Sequence, residues 1–260
     1  MNIINRINRK VRRELKSLMS PKRECNVCNT KFRGNFVPIH QMYQENLKRT
    51  GYKYNFDDAE TLNYKEYSCP YCKCSDRDRL YWLFLNKQLH GNRKYTVLDF
   101  APAPALTKNL KNRLNVKYRS ADLFMEGVDD KVDIMDMNIY PDSSFDVFIC
   151  SHVLEHVTDD RKAMRELNRV LKVGGFGIAV VPIILPLEFI DEDPSIIDPD
   201  ERWSRFGQDD HVRSYSKQGY IDRLAEAGFL IEQLTAKEFG LKQFILHGIS
   251  PKSVLYIVRK

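Results

Sequence analysis

Residues 143–182 read SSFDVFICSHVLEHVTDDRKAMRELNRVLKVGGFGIAVVP, and this stretch decides the fold. Residues 145–151 are mostly apolar, as in a strand that is buried on both faces of a parallel sheet. A helical pattern follows over residues 159–171, and Gly174-Gly175 ends it. A second apolar strand over residues 176–182 comes next. A buried strand, a helix and another buried strand in this order predict an α/β unit.

The same alternation continues on both sides of this unit. We predict further strands over residues 95–100, 116–121, 230–234 and 254–258 and further helices over 106–113 and 217–227. The predicted fold class is therefore α/β, with a Rossmann-like, doubly wound, mostly parallel sheet over residues 91–260. In such folds ligands bind at the carboxyl ends of the strands.

The chain has 260 residues, 43% of them hydrophobic and 29% charged, which is typical of a soluble globular protein. Residues 1–23 hold eight Lys or Arg residues and one Glu, so this segment carries +7 and the rest sums to −1. Its apolar residues recur at helical spacing, which predicts a basic amphipathic helix. Such a helix suits peripheral contact with an anionic membrane through residues 1–20, or packing on protein; nucleic acid is a less favoured partner.

The start of the chain lacks the apolar core of a signal peptide, and no apolar run is long enough to span a bilayer. We therefore expect a cytoplasmic location, with the basic helix as the means of reaching the inner membrane face. In that compartment the six cysteines are expected to be ligands or free thiols rather than disulfides.

Two cysteine pairs with a two-residue spacing, Cys25/Cys28 and Cys69/Cys72, predict a metal module over residues 24–90. Each pair can bring both thiolates to one ion, so the four fit a structural Zn²⁺ site; free buried thiols are the alternative. Cys74 could compete as a ligand. The module is expected to end in a helix capped by Ser75 or Asp76, with Arg77 and Arg79 either in solvent or facing an acidic ligand.

Residues 97–110 read VLDFAPAPALTKNL, a strand, an acid and a loop that feeds a helix. Nucleotide-binding loops at this position usually carry glycines, because the backbone must approach a ligand closely. Here Ala101, Ala103 and Ala105 replace them, and prolines lie between. We predict a rebuilt cofactor loop in which proline fixes the backbone without glycine. An inactive scaffold is the alternative.

The block at 143–182 resembles the central part of class I S-adenosylmethionine-dependent methyltransferases of the small-molecule type. The resemblance rests on its Phe-Asp strand, its Leu-Glu-His turn and its Leu-Lys-x-Gly-Gly turn, and it covers residues 95–182. It extends loosely to residues 227–229. A subgroup with a cysteine-rich amino-terminal module is similar over residues 24–260.

The resemblance implies S-adenosylmethionine as the cofactor. Asp122 is implied to accept the ribose hydroxyls and Asp133 the adenine amino group, although Asp136 is an alternative to Asp133. Asp99 would lie near the methionine end of the cofactor. The full set of implied cofactor-binding residues is Asp99, Ala101, Ala103, Asp122, Leu123, Asp133, Ile134, Ser151 and His152.

The acceptor is expected to bind at the long segment over residues 182–216. His211 has a suitable pKa to take a proton from a hydroxyl, Asp209 or Asp210 could orient it, and Arg213 could hold an anion. Structural roles are the alternative for His211 and Arg213. His152 is a further catalytic candidate, while Glu155 and His156 are expected to be structural.

We therefore predict O-methylation of a sugar, a glycan or a similar polar small molecule. An RNA methyltransferase is an alternative, because of the zinc module and the basic tail. The near-neutral body disfavours it, and so does Cys150-Ser151-His152-Val153 in place of an amine-methylating Asn-Pro-Pro-Tyr or Asp-Pro-Pro-Tyr motif. A non-catalytic binding protein with a methyltransferase-like fold is the third possibility.

Overall fold

The computed structural model describes residues 22–260. The amphipathic helix predicted over residues 1–23 lies outside the described residues, except that Lys22 and Arg23 begin a short strand. Within residues 22–260, no helix combines the length and the apolar character needed to cross a membrane.

A seven-stranded sheet forms the centre of the protein. Its strand order is β10-β11-β7-β6-β3-β4-β5. The strands β3 to β7 run parallel, and β11 is antiparallel to both β7 and β10. The bounds are β3 Tyr95–Phe100, β4 Val116–Asp122, β5 Asp130–Lys131, β6 Phe145–Ser151, β7 Leu171–Val180, β10 Leu230–Leu234 and β11 Leu255–Arg259.

Helices cover the sheet, and short strand pairs lie outside it. The helices are α1 Gln41–Thr50, α2 Asp76–Gln88, α3 Pro104–Lys111, α4 Asp160–Val170, α5 Pro199–Phe206, α6 Lys217–Glu226, α7 Ala236–Phe239 and α8 Leu241–Leu246. The short strands are β1 Lys22–Cys25, β2 Thr30–Arg33, β8 Asp191–Glu192 and β9 Arg213–Ser214. Ser75 caps α2 in a capping box with Asp78, and Asp159 caps α4.

The Rossmann-like α/β fold with a mostly parallel sheet matches the prediction, and the element bounds differ in detail. The strand predicted from residue 176 begins at Leu171, directly after α4, so Gly174-Gly175 lies within β7. Gly177 is required farther along this strand, because a Cβ there would lie 2.1 Å from the ring of Phe148 on β6. The elements that were not predicted are α1, α5, α7, α8, β1, β2, β5, β8 and β9.

The cysteine-rich segment and the sheet share one apolar core. Cys25, Cys69 and Phe36 pack in the same cluster as Leu80 of α2 and Val97 of β3. Helix α2 therefore lies inside the protein rather than on its surface.

Arg79 of α2 is fully buried, with an exposed fraction of 0%, which corrects the expectation that its charge is solvated. Its guanidinium lies 3.9 Å from the ring centre of Phe36 and donates to five main-chain carbonyl groups. Arg79 therefore joins the cysteine-rich segment to the turn at residues 247–248.

Candidate active site

Four thiol groups of the predicted metal module converge. The Sγ atoms of Cys25, Cys28, Cys69 and Cys72 all lie within 4.8 Å of one another. The Cys25 and Cys72 sulfurs are 3.7 Å apart, and the Cys28 and Cys69 sulfurs are 3.9 Å apart. Four thiolates around zinc with bonds near 2.3 Å have sulfurs about 3.8 Å apart, so the arrangement fits a tetrahedral ion.

Cys74 lies beside this group rather than within it. Its Sγ is 3.4 Å from Cys25 Sγ. The hydrogen bond from Cys74 lowers the pKa of Cys25 to about 4, which favours the thiolate form that binds metals.

A cavity of about 530 Å³ lies at the carboxyl ends of β3 and β6. Its sheet side is formed by Asp99, Ala101, Ser151 and His152, and its other side by the second cysteine knuckle and the start of α2. The cysteine-rich segment is thus a wall of the cavity in which the cofactor is expected, a feature that the sequence did not reveal. The contributing residues on that side are Tyr67, Cys72, Lys73, Cys74, Ser75, Arg77, Asp78 and Tyr81.

The loop after β3, where alanines replace the usual glycines, begins with a strained residue and leads into a regular helix. Ala101 adopts a left-handed conformation with φ of 48°, which costs a residue with a side chain about 1 kcal/mol. Ala103 precedes α3, and Pro104 is in its first turn, where the missing N–H removes no helical hydrogen bond. The alternating Ala-Pro sequence therefore turns the chain from β3 directly into α3.

Asp99 is a buried acid of this cavity, with an exposed fraction of 2%. Its Oδ2 accepts a hydrogen bond of 2.7 Å from the Tyr118 hydroxyl. Burial raises the pKa of Asp99 to about 7, against the lowering effect of that hydrogen bond, and the nearby Asp78 adds to the rise. Two acids and Arg77 in one cavity suit the ammonium and carboxylate groups of an amino-acid tail.

The acids predicted for the adenosine half lie at the ends of neighbouring strands. Asp122 ends β4, and its Oδ1 accepts from the backbone N–H groups of Phe124 and Met125, both at 2.7 Å. Asp133 Oδ1 accepts from the backbone of Met135 at 2.8 Å. Each carboxylate thus uses one oxygen to shape its own loop. Beside them Leu123 is exposed and Ile134 is buried.

A larger cavity of about 710 Å³ adjoins the first, and both are lined by Tyr67, Lys73, Arg77 and His152. One side of it comes from residues 37–73 and the other from the turn after β6 and the 206–214 segment. Aromatic and histidine side chains line it, among them His40, Tyr43, Tyr52, Phe56, His156, Phe206 and His211. The predicted acceptor segment therefore faces the cysteine-rich segment across a cavity.

His152 lies at the wall shared by the two cavities, and its two ring nitrogens contact Arg77 and Glu155. Its Nε2 accepts from the Arg77 guanidinium, so the ring proton is on Nδ1, which lies 3.0 Å from Glu155 Oε1. Burial and then the Arg77 charge lower the pKa of His152 to about 4. This ring is therefore neutral and positioned between two charged groups, rather than free to take a proton from an acceptor.

His211 presents a free nitrogen to the larger cavity. It is 6% exposed, and its Nδ1 lies 3.3 Å from the carbonyl oxygen of Phe206, which can only accept, so Nε2 carries the lone pair. Burial lowers the pKa of His211, which keeps the ring neutral. The expected orienting acid is different: Asp209 is exposed, and Asp210 Oδ2 contacts His156 Nδ1 at 3.2 Å instead of His211.

Arg213 differs from the prediction of an anion-binding group. It is 1% exposed, and its guanidinium donates to the carbonyl groups of Leu154, Val157 and Thr158 and to Glu192. These contacts use its donors to hold the turn after β6. The alternative expectation, that Arg213 pins the loop, describes what the structure shows.

Comparison with known families gives one match. Residues 82–179 match a family model described as a methyltransferase domain. The match covers the central part of the chain. The matched residues include Asp99, Ala101, Ser151 and His152, which form the sheet side of the smaller cavity.

Individual relatives are more distant. The chain is 35% identical over 77 residues to the uncharacterized methyltransferase YcgJ of Bacillus subtilis (strain 168), across 30% of this chain and 28% of the relative. The chain thus matches little more than a quarter of that relative's length. The solved structure of YcgJ aligns with a TM-score of 0.41 and 20% identity over 69% of this chain and 96% of that one. An S-adenosylmethionine-dependent methyltransferase from Mesorhizobium loti aligns with a TM-score of 0.43 and 16% identity over 69% and 97%.

Proposed function

We propose that the protein is an S-adenosylmethionine-dependent methyltransferase that methylates a hydroxyl group of a polar small molecule, such as a sugar or glycan. The observation that supports this best is the pair of adjoining cavities. The smaller cavity has Asp99 near the carboxyl end of β3 and Asp78 at the start of α2. The larger cavity has aromatic and histidine walls, and the two cavities meet at Arg77 and His152.

On the donor side, each part of S-adenosylmethionine has a matching group. The free Oδ2 of Asp122 would accept the ribose hydroxyls, and Asp133 and Ile134 would hold the adenine. Asp99 and Asp78 would pair with the ammonium, and the Ala101 and Ala103 backbone would approach the methionine tail. Leu123 and Ser151 complete this site.

On the acceptor side, a ring-shaped polar molecule suits the cavity. Aromatic side chains such as Tyr43, Tyr52 and Phe56 can pack against the apolar face of a sugar ring. S-adenosylmethionine supplies a methyl group activated by its positively charged sulfur. The acceptor hydroxyl would lose its proton to Nε2 of His211, and positioning at the shared wall would provide the rest of the catalysis.

The cysteine cluster is proposed to hold a structural Zn²⁺ through Cys25, Cys28, Cys69 and Cys72. Four thiolates leave no open position for substrate, so the ion would shape the fold rather than react. Because Cys72 and its neighbours line the donor cavity, the ion would also keep that cavity in place.

S-adenosylhomocysteine, the demethylated product, is expected to bind the purified protein with one site per chain. Asp122→Asn should weaken binding about 10-fold or more, since it weakens the charged acceptor of two hydroxyl hydrogen bonds. Isothermal calorimetry measures both. Glu126→Gln is the matched control, because Glu126 lies in the loop directly after Asp122 and its side chain is 93% exposed. Failure of the unaltered protein to bind would leave the non-catalytic reading instead.

Binding of S-adenosylhomocysteine is also expected to tighten between pH 6 and pH 8. Asp99, whose pKa is raised to about 7, must ionise to pair with the ligand's ammonium, so affinity should rise by up to about tenfold per pH unit below pH 7. The stability of the ligand-free protein should change in the opposite direction. The folded state favours protonated Asp99, and the contribution of this protonation to the free energy of unfolding is lost as pH rises through 7. Asp99→Asn should flatten both responses, and an unchanged slope in calorimetry would contradict the assignment.

His211→Gln is expected to lower kcat by about 10²–10⁴ once an acceptor is identified, with little change in the KM for S-adenosylmethionine. Glutamine can still donate to the Phe206 carbonyl group but cannot take a proton. Asp209→Asn should retain the parent kcat, because the Asp209 side chain is exposed. Radiolabelled methyl transfer to sugars and activated glycans provides the assay, and an unchanged kcat for the His211 variant would exclude it as the base.

A further inference from the structure

Glu155, His156 and His211 form a second group of metal-binding side chains, separate from the thiols. One ligand atom of each lies within 4.8 Å of the others. Glu155 and His156 come from the turn after β6, and His211 comes from the loop after α5. The backbone N–H of Val212 donates to the carbonyl group of Glu155 at 3.0 Å, which ties the two segments together.

In both histidines, one ring nitrogen contacts an oxygen atom that can orient the ring for metal binding. Metal-binding histidines usually donate their second ring N–H to a carboxylate or a carbonyl group, which orients the ring. Nδ1 of His156 contacts the Asp210 carboxylate at 3.2 Å, and Nδ1 of His211 contacts the Phe206 carbonyl group at 3.3 Å. Both Nε2 atoms are therefore available, and His156 Nε2 lies 4.0 Å from Glu155 Oε1.

The Glu155 carboxylate gives an independent sign of a bound cation. It is 0% exposed, and among the described residues neither of its oxygens accepts an aligned hydrogen bond. The nearest donor is Nδ1 of the neutral His152 ring, 3.0 Å from Glu155 Oε1, and this ring supplies no positive charge. A buried carboxylate without hydrogen bonds is costly unless a positive charge compensates it.

We propose that Glu155, His156 and His211 bind one divalent transition-metal ion in the acceptor cavity. Two imidazoles and one carboxylate on one side of an ion leave open positions for substrate oxygens. Metal bonds of 2.0–2.2 Å bring neighbouring ligand atoms to roughly 3 Å, so side-chain shifts of about 1 Å would close the site.

The ion would define the acceptor class, and this part of the inference rests on the proposed function. Two adjacent oxygens, as in a vicinal diol of a sugar, can occupy two open positions. An ion-bound hydroxyl loses its proton more easily, here to solvent water, so the ion would take over the activating role of His211. The oxygen–methyl bond would then form as the methyl–sulfur bond breaks and leaves its electron pair on sulfur.

Mn²⁺ is a suitable probe, because it favours carboxylate oxygen ligands, whereas thiolates select zinc. With zinc retained in the cysteine cluster, electron paramagnetic resonance titration should show one saturable Mn²⁺ site per chain. Glu155→Gln and His211→Gln should weaken it about 100-fold or more, and Asp210→Asn about 10- to 100-fold. His90→Gln, which removes an exposed imidazole elsewhere, should bind as the parent does.

Binding of S-adenosylhomocysteine by each variant reports whether it is folded, since none of these residues lines the donor cavity. Absence of saturable Mn²⁺ binding by the parent, or parent-like binding by both Glu155→Gln and His211→Gln, would overturn the metal site. Loss of S-adenosylhomocysteine binding by the parent would instead overturn the proposed function and leave the metal result unaffected. If Glu155→Gln or His211→Gln does not fold, Asp210→Asn still tests the metal site, because the Asp210 side chain is half-exposed and its change should not disturb folding.

Discussion

Cys25→Ser is expected to unfold the cysteine-rich segment and to abolish binding of S-adenosylhomocysteine. Binding of structural zinc contributes about 10–16 kcal/mol to the folding of zinc-finger peptides, so loss of the ion is comparable with the whole stability of an ordinary domain, about 5–15 kcal/mol. The effect should spread, because Cys25 packs in the same core as α2 and β3 and the second knuckle lines the donor cavity. Thermal unfolding measures the loss of stability, metal analysis measures the loss of zinc, and calorimetry measures the loss of S-adenosylhomocysteine binding.

Cys74→Ser is the matched control for this prediction. Cys74 Sγ contacts Cys25 but lies outside the group of four sulfurs, so this variant should retain about one equivalent of zinc. Its melting temperature should fall less than that of Cys25→Ser. Equal loss of zinc from both variants would mean that the ligand set is different, and a zinc-free parent protein that is fully stable would contradict the proposed site.

Arg79→Met is expected to lower the free energy of unfolding by about 3–5 kcal/mol. Methionine fills much of the same space, but the carbonyl groups of Glu66, Tyr67, Cys74, His247 and Gly248 would each lose a charged donor inside the protein. Arg79→Lys should recover only a small part of the loss, because an ammonium group cannot match the planar set of five donors. Urea unfolding followed by circular dichroism gives the free energies.

Arg93→Met serves as the control for Arg79. The Arg93 side chain is 62% exposed, and its contact with Asp146 is 3.8 Å long, so stability close to that of the parent is expected. If Arg79→Met is as stable as Arg93→Met, then Arg79 does not hold the cysteine-rich segment to the 247–248 turn.

The features of the site that can be predicted from the sequence are those set by residues close together along the chain. The two-residue spacing of each cysteine pair brings its thiols together locally, so the four-sulfur group was foreseen. The positions of Asp99 and Asp122 near the ends of β3 and β4 were predicted from the strand patterns, and their roles in binding a cofactor stay predictions. The roles of Asp209, Arg213 and His152 depend on partners far along the chain, and there the predictions diverged from the contacts that the structure shows.

Asp78 and Glu155 show why the rest was not foreseen. Asp78 belongs to the capping box of α2. Nothing in the neighbouring sequence indicates that Asp78 also lines the same cavity as Asp99. Glu155 lies in the turn after β6, where the sequence predicts a structural role for it. Its unpartnered burial arises because the loop after α5 folds over it.

The sequence by itself determined the alternation of strands and helices, the mostly parallel sheet and the convergence of the cysteines, because apolar periodicity and short spacings act over a few residues. Tertiary structure alone decided that residues 37–73 form a wall of both cavities, that Arg79 is buried, and that Asp210 pairs with His156. Those features arise where distant segments pack together, and the burial of charge at such contacts depends on every partner at once.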